Sequence, residues 1–317
     1  MEQPLVQTIG LKKYFEVPEG YLHAVDNVNI SIDKGKTLGV VGESGCGKST
    51  LGRVMLRLLD ATEGEVLFDG ENVLDYTGQQ LKKMRREMQI IFQDPYSSLN
   101  PRKSIGDIIK EPIIVNKILK DKKAINNRIK ELMDVVGLSQ RLIRSYPHEL
   151  DGGRRQRVGI ARALSLNPKF IVCDEPVSAL DVSIQAQILN LMMDLQEELG
   201  ITYMFITHDL SVVKHISDEI VVMYLGQCVE SAKTEELFKN PMHPYTKALL
   251  SAIPIPSIDQ EWGKKNIIKG ELTSPINPRK GCRFHLRCDH ATDKCIDNDI
   301  NLHEVGEDHH IACALYN

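Results

Sequence analysis

The stretch Gly42-Glu43-Ser44-Gly45-Cys46-Gly47-Lys48-Ser49 decides how the rest of the chain is read. It fits the pattern G-x-x-x-x-G-K-[ST] and has the flanks that the pattern needs. The apolar run Thr37 to Val41 precedes it as a buried strand. A segment from Ser49 to Leu59 follows, with Leu51, Met55, Leu58 and Leu59 at helical spacing. Strand, glycine-rich loop and helix make a phosphate cradle. Successive N–H groups converge on an anion, the helix N-terminus adds its dipole, Lys48 reaches the outer phosphates, and Ser49 offers a hydroxyl to Mg2+. The expected cradle residues are Gly42, Ser44, Gly45, Cys46, Gly47, Lys48, Ser49 and Thr50, with Cys46 serving as a small residue.

Working outward, Val28, Ile30 and Ile32 alternate on one face and predict a strand from about residue 24, while Asp69-Gly70 predicts a hairpin turn within 65–75. Residues 104–148 are mainly helical in pattern, with Ile125, Ile129, Leu132 and Val136 at helical spacing. Phe170 to Cys173 reads as a buried strand. Ile184, Ile188, Leu191, Met192, Leu195 and Leu199 then predict one face of a helix of about four turns. Ile201 to Ile206 is the next strand, and residues 219–230 form a hairpin around Gly226. Pro241, Pro244, Pro254 and Pro256 then break the pattern. The expected division is a main domain over 1–236, with a helical insertion at about 95–160, and an extension over 237–317.

The chain has 317 residues, with 39 Lys and Arg against 43 Asp and Glu, a net charge of −4. At roughly 150 residues per domain that suggests two domains. With 42% hydrophobic and 26% charged residues, neither a disordered nor a collagenous chain is indicated. Weak net negativity gives no global reason to bind nucleic acid. No apolar run approaches the roughly 18 to 20 residues of a spanning helix, and no leader pattern opens the chain, so a soluble cytoplasmic protein is expected.

Asp174-Glu175 ends the strand Phe170 to Cys173 and supplies what the cradle lacks: Asp174 to hold Mg2+ through water and Glu175 to polarise an attacking water. Such an acidic pair is commonplace alone and gains meaning from the cradle. His208, just after the strand Ile201 to Ile206, is a candidate partner of the γ-phosphate, although a lone histidine is more often structural.

Residues 148–181 carry a more specific pattern. His148-Glu149-Leu150-Asp151-Gly152-Gly153-Arg154-Arg155-Gln156-Arg157 precedes Asp174-Glu175-Pro176-Val177-Ser178-Ala179-Leu180-Asp181. With Phe92-Gln93-Asp94-Pro95 and Thr207-His208-Asp209, the chain resembles an ATP-binding-cassette (ABC) ATPase. That resemblance implies an α/β fold: a P-loop NTPase core with an antiparallel β subdomain, a helical insertion and, here, a small irregular Cys-rich C-terminal extension. It implies a head-to-tail dimer with two ATPs, each held between one subunit's phosphate loop and the other's signature segment. The implied roles are Gln93 sensing Mg2+, Glu175 as general base, His208 as switch, Asp181 as a cross-dimer contact, and Phe15, rather than Tyr14, stacking on adenine. Asp151-Gly152-Gly153 is the signature segment, with Asp151 where the family usually has serine. An ionised Asp151 would place like charge beside the γ-phosphate, with Arg154 able to compensate. The other reading is that Asp151 simply caps its helix.

Cys282, Cys288, Cys295 and Cys313 crowd the tail, and Arg279, Lys280, Arg283 and Arg287 surround the first two. The spacing is looser than that of most zinc knuckles, so a [4Fe-4S] cluster is expected, with zinc or free thiols as alternatives. The basic residues would offset a cluster's charge or stand as solvated surface. His243 to Pro254 and Gln93 to Pro101 are similar to ATPases of bacterial dipeptide and oligopeptide importers. That likeness implies a peptide-import ATPase peripheral to the cytoplasmic face of the membrane. Its partners would be two permease subunits, a second ATPase and an extracellular solute-binding protein. An importer of nickel or another small solute, a soluble ABC ATPase and a non-hydrolysing subunit are the competing readings.

Overall fold

The computed structural model describes residues 3–252, 270 and 273–316. Two compact units divide the chain: Met1–Ile32, Thr37–Leu74 and Phe205–Asn317 form the first, Asp33–Lys36 and Asp75–Met204 the second.

In the first unit, β1 (Val6–Val17) and β2 (Gly20–Ile32) pair antiparallel from Val6 against Ile32 to Val17 against Gly20. Val28, Ile30 and Ile32 are buried while Asn29 and Ser31 are exposed, the period-two pattern that seats one face on a core. The strand begins at Gly20, ahead of the predicted start. β3 (Thr37–Val41) is buried throughout, and α1 (Lys48–Met55) follows. This helix stops four residues short of the predicted Leu59. Arg57 adopts a left-handed φ of 52°, the Leu58 and Leu59 N–H groups fold back to the Arg53 carbonyl, and Leu58 ends exposed. β4 (Glu63–Phe68) and β5 (Glu71–Asn72) form the expected hairpin through Asp69 and Gly70, giving a four-stranded sheet of order β2-β1-β4-β5.

The second unit contains α2 (Gly78–Glu87), β6 (Met88–Ile91), α3 (Pro95–Ser98), α4 (Ile105–Val115), α5 (Lys122–Val135), α6 (Gly152–Leu164), β7 (Phe170–Asp174) and α7 (Val182–Leu199). It also holds the start of β8 (Thr202–Thr207), whose last three residues belong to the first unit. Strand order here is β8-β7-β6, with β6 and β7 parallel. The helical pattern reads through into burial: Ile125, Ile129 and Leu132 of α5 are buried, and Asp121 caps the helix by accepting from the Ala124 N–H at 2.7 Å. On α7, Ile188, Met192 and Leu195 are buried, but Leu199 is exposed. The helix ends at Gly200, whose left-handed φ of 65° turns the chain away before that last residue can pack.

The first unit resumes with α8 (Leu210–Ile216), β9 (Glu219–Tyr224), β10 (Gln227–Lys233), α9 (Thr234–Lys239), α10 (Pro244–Ser251), α11 (Lys294–Asp297), β11 (His303–Gly306) and β12 (His309–Ile311). Its second sheet has the order β11-β12-β10-β9-β3. β3 runs parallel to β9, the predicted hairpin joins β9 to β10 through Leu225-Gly226, and β12 pairs antiparallel with β10, Glu230 opposite Ile311. The tail is therefore less irregular than expected, because its last strands extend a sheet begun much earlier in the chain. Beside that pairing lies Glu230, fully buried, whose carboxylate accepts from the Met242 and His243 N–H groups at 2.7 and 3.0 Å and lies 2.9 Å from His309 Nε2. Three donors around one carboxylate are what burial of such a group requires. Pro254 and Pro256, among the predicted breakers, lie outside the described residues.

Candidate nucleotide site

The expected residues fall in both units. The first holds the phosphate loop, Phe15 and His208; the second holds Gln93, the signature segment, Asp174, Glu175 and Asp181.

In the first unit, the loop leaves buried β3 and enters α1 through Gly47, which serves as N-cap with no side chain to close the helix end. An uncapped N-terminus presents N–H groups to an anion. Gly47 has φ 104°, and a Cβ there would meet the Ala24 carbonyl at 1.9 Å, so both conformation and space demand glycine. Lys48 is only 4% exposed, and its Nζ donates to the carbonyls of Gly42 and Glu43 at 2.8 and 2.9 Å. Cys46 is buried, and burial pushes its thiol pKa up. Ser44 and Gly45 are exposed, while Ser49 and Thr50 are half-buried at the start of α1. Along β1, Tyr14 is consumed internally: its ring stacks on His23 at 3.8 Å and its hydroxyl donates to Asp26 at 2.5 Å. Phe15 stays half-exposed with the Lys13 ammonium 4.9 Å above its ring. His208 is exposed between β8 and α8, whose cap Asp209 accepts from the Ser211 N–H at 2.8 Å.

In the second unit, β7 ends in Asp174, 2% exposed, and delivers Glu175 in a left-handed conformation, φ 48°. That conformation is costly for a residue with a side chain and marks a position whose direction is held by its surroundings. Gln93 Nε2 donates to Glu175 Oε2 at 2.9 Å, so two expected catalytic residues meet. Asp181 caps α7 by accepting from the Ile184 N–H at 3.0 Å; this bond, then one from the Ser183 hydroxyl, holds its carboxyl below the usual range. Asp151 caps α6 in the same way through the Arg154 N–H at 2.8 Å, and the Arg154 side chain lies 3.5 Å from its carboxylate. Both the capping and the compensating readings of Asp151 thus have their contacts. Gly153 allows α6 to approach α7, since a Cβ there would meet Ile184 at 2.6 Å.

The expected metal centre fares differently. Among the described residues, no group of three or more His, Cys, Asp or Glu side chains could hold a metal ion. Burial pushes the Cys282 thiol up to about 12 and raises those of Cys288 and Cys313, which favours the protonated form. Neither the iron–sulfur cluster nor zinc is supported by this arrangement. Missed from the sequence were the left-handed Glu175 and two arginine contacts. Arg287 forks onto Glu43 of the phosphate loop, and Arg283 pairs with Asp26. The crowding of basic residues around Cys282 and Cys288 was the available signal.

Residues 25–178 match the ABC transporter family, and residues 229–295 match the oligopeptide/dipeptide transporter C-terminal region. The dipeptide transport ATP-binding protein DppF of Haemophilus influenzae is 51% identical over 98% of this chain and 96% of its own length. The oligopeptide transport ATP-binding protein AppF of Bacillus subtilis is 49% identical over 99% and 98%. Among solved structures, cbiO1 of Clostridium perfringens, part of the transporter complex cbiONQ, aligns with a TM-score of 0.67 and 28% identity over 75% of this chain and 92% of that one. The dimeric cassette MJ0796 bound to ADP and Pi aligns at 0.66 and 31% over 72% and 98%. The chain belongs to the ABC ATPases, in the family of dipeptide and oligopeptide transporter ATP-binding subunits. It is an ATP-binding and ATP-hydrolysing protein.

Proposed function

We propose that this chain energises import of dipeptides or oligopeptides as one ATPase of a heterodimer, at the cytoplasmic face of a membrane, with two permease subunits and an extracellular solute-binding protein. The observation that carries it is end-to-end likeness, near 50% identity, to peptide-transport ATP-binding proteins, including the C-terminal region. Among the described residues no helix is long and apolar enough to cross a membrane, so the path for the peptide belongs to partner chains.

Lys48, with Gly42, Ser44, Gly45, Gly47 and Thr50, binds the phosphates of ATP, and Phe15 stacks on adenine. Ser49, Gln93 and Asp174 hold Mg2+, which supplies charge neutralisation on the phosphates when bound. Glu175 takes the proton of the attacking water, and His208 switches on the γ-phosphate. Asp151, Gly152, Gly153 and Asp181 face the ATP held by the partner ATPase; the dimer of the similar cassette MJ0796 supports such a pairing. With Asp151 here, a partner ATPase that carries serine at the matching position would give two ATP sites that differ in charge.

Reconstitution with co-eluting permease and ATPase chains in vesicles is the test. ATP-dependent uptake of a labelled di- or oligopeptide, stimulated by the binding protein, is expected. Uptake of a nickel chelate instead would redirect the solute, and ATPase activity with no membrane partner would remove the transport reading.

A further inference from the structure

We propose that Arg287 is a positioning residue for the phosphate loop: from the C-terminal extension, its guanidinium grips Glu43 and thereby sets the loop for nucleotide.

The contact is a fork, Nη1 to Oε2 at 2.7 Å and Nη2 to Oε1 at 3.1 Å, with the arginine side chain 7% exposed. Such paired charge-assisted bonds fix orientation as well as distance. Glu43 is held at its other end too, where its backbone N–H donates to the Tyr245 hydroxyl at 2.8 Å. Arg287 also donates to the Tyr224 hydroxyl at 3.3 Å, and Tyr224, Tyr245 and Phe284 pack with ring centroids 4.8 to 5.4 Å apart. The Glu43 carbonyl in turn accepts from Lys48 Nζ. An unbroken line therefore runs from the extension through one loop residue to the lysine that meets phosphate.

A second anchor stands four residues earlier. Arg283 donates to the Leu225 carbonyl and to Asp26. The neighbouring Gly226 N–H donates to the Cys46 carbonyl of the loop at 2.8 Å, and the Gly226 carbonyl accepts from the Asp26 N–H. The loop is thus braced on two sides by one segment of the tail. Charge requires such a brace. Glu43 places a carboxylate in a loop that must receive a polyanion, and Arg287 neutralises and turns it.

The test is a double-mutant cycle on the full chain, read as equilibrium affinity for a fluorescent ATP analogue, with KM and kcat of the assembled transporter alongside. Arg287→Ala is expected to weaken binding and raise KM by about tenfold, with kcat at saturating ATP within about twofold, the scale of one charged hydrogen-bond pair. Adding Glu43→Gln is expected to restore much of the loss, because the unpaired carboxylate is gone. Arg287→Lys, which keeps charge but not the fork, should fall between. Wild-type affinity in Arg287→Ala, or losses from the two changes that simply multiply, would overturn the proposal. Should Arg287→Ala fail to fold, Arg287→Lys with unchanged affinity does the same.

Discussion

Replacing Glu175 with Gln is expected to lower ATP turnover by the assembled transporter about 10²- to 10⁴-fold while nucleotide binding survives. The amide matches the carboxylate in size and can keep a hydrogen bond with Gln93, so the local structure should hold. What it cannot do is accept a proton from water. The left-handed backbone at Glu175 strengthens the expectation, because a strained position keeps the side chain's direction when only its charge is changed. ATP should accumulate on the protein and trap the closed dimer, visible by size exclusion. Turnover near the wild-type rate would remove the general base from Glu175.

Lys48→Ala is expected to abolish measurable ATP binding, a loss of about 10²-fold or more in affinity. Two effects combine. The phosphates lose a cation, and the carbonyls of Gly42 and Glu43 lose the donor that holds them in the unbound loop, so the cradle itself relaxes. Titration with a fluorescent ATP analogue reads the first effect, and a melting curve without nucleotide reads the second. Affinity within a few-fold of wild type would show that the loop N–H groups and the α1 dipole suffice alone.

Legibility in the sequence followed the range of the forces involved. β3, β7 and β8 announce themselves as apolar runs because each is buried along its whole length. The phosphate loop is legible because φ 104° at Gly47 leaves almost no choice of residue. Helix ends were less legible: nothing in Leu58-Leu59 shows that Arg57 turns left-handed, and nothing in Leu199 shows that its turn overhangs the packed face. Illegible were contacts across long stretches of chain. β11 and β12 are four and three residues of mixed polarity, strands only because β10 offers them an edge. Glu43 and Arg287 are 244 positions apart, and neither carries a local signal of the other. The stack of Tyr14 on His23 and its hydrogen bond to Asp26 join two strands and likewise carry no local signal.

The pairing of β12 with β10 has a practical side for anyone trimming this cassette. A fragment ending near residue 236 keeps every nucleotide motif, yet it bares the open flank of β10, a row of unmet N–H and C=O groups able to recruit a strand from another molecule. It also strips Glu230 of Met242, His243 and His309 together, leaving an interior carboxylate with nothing from the discarded segment to answer its charge. Such a fragment should precipitate where the longer chain stays dispersed, for reasons unrelated to ATP.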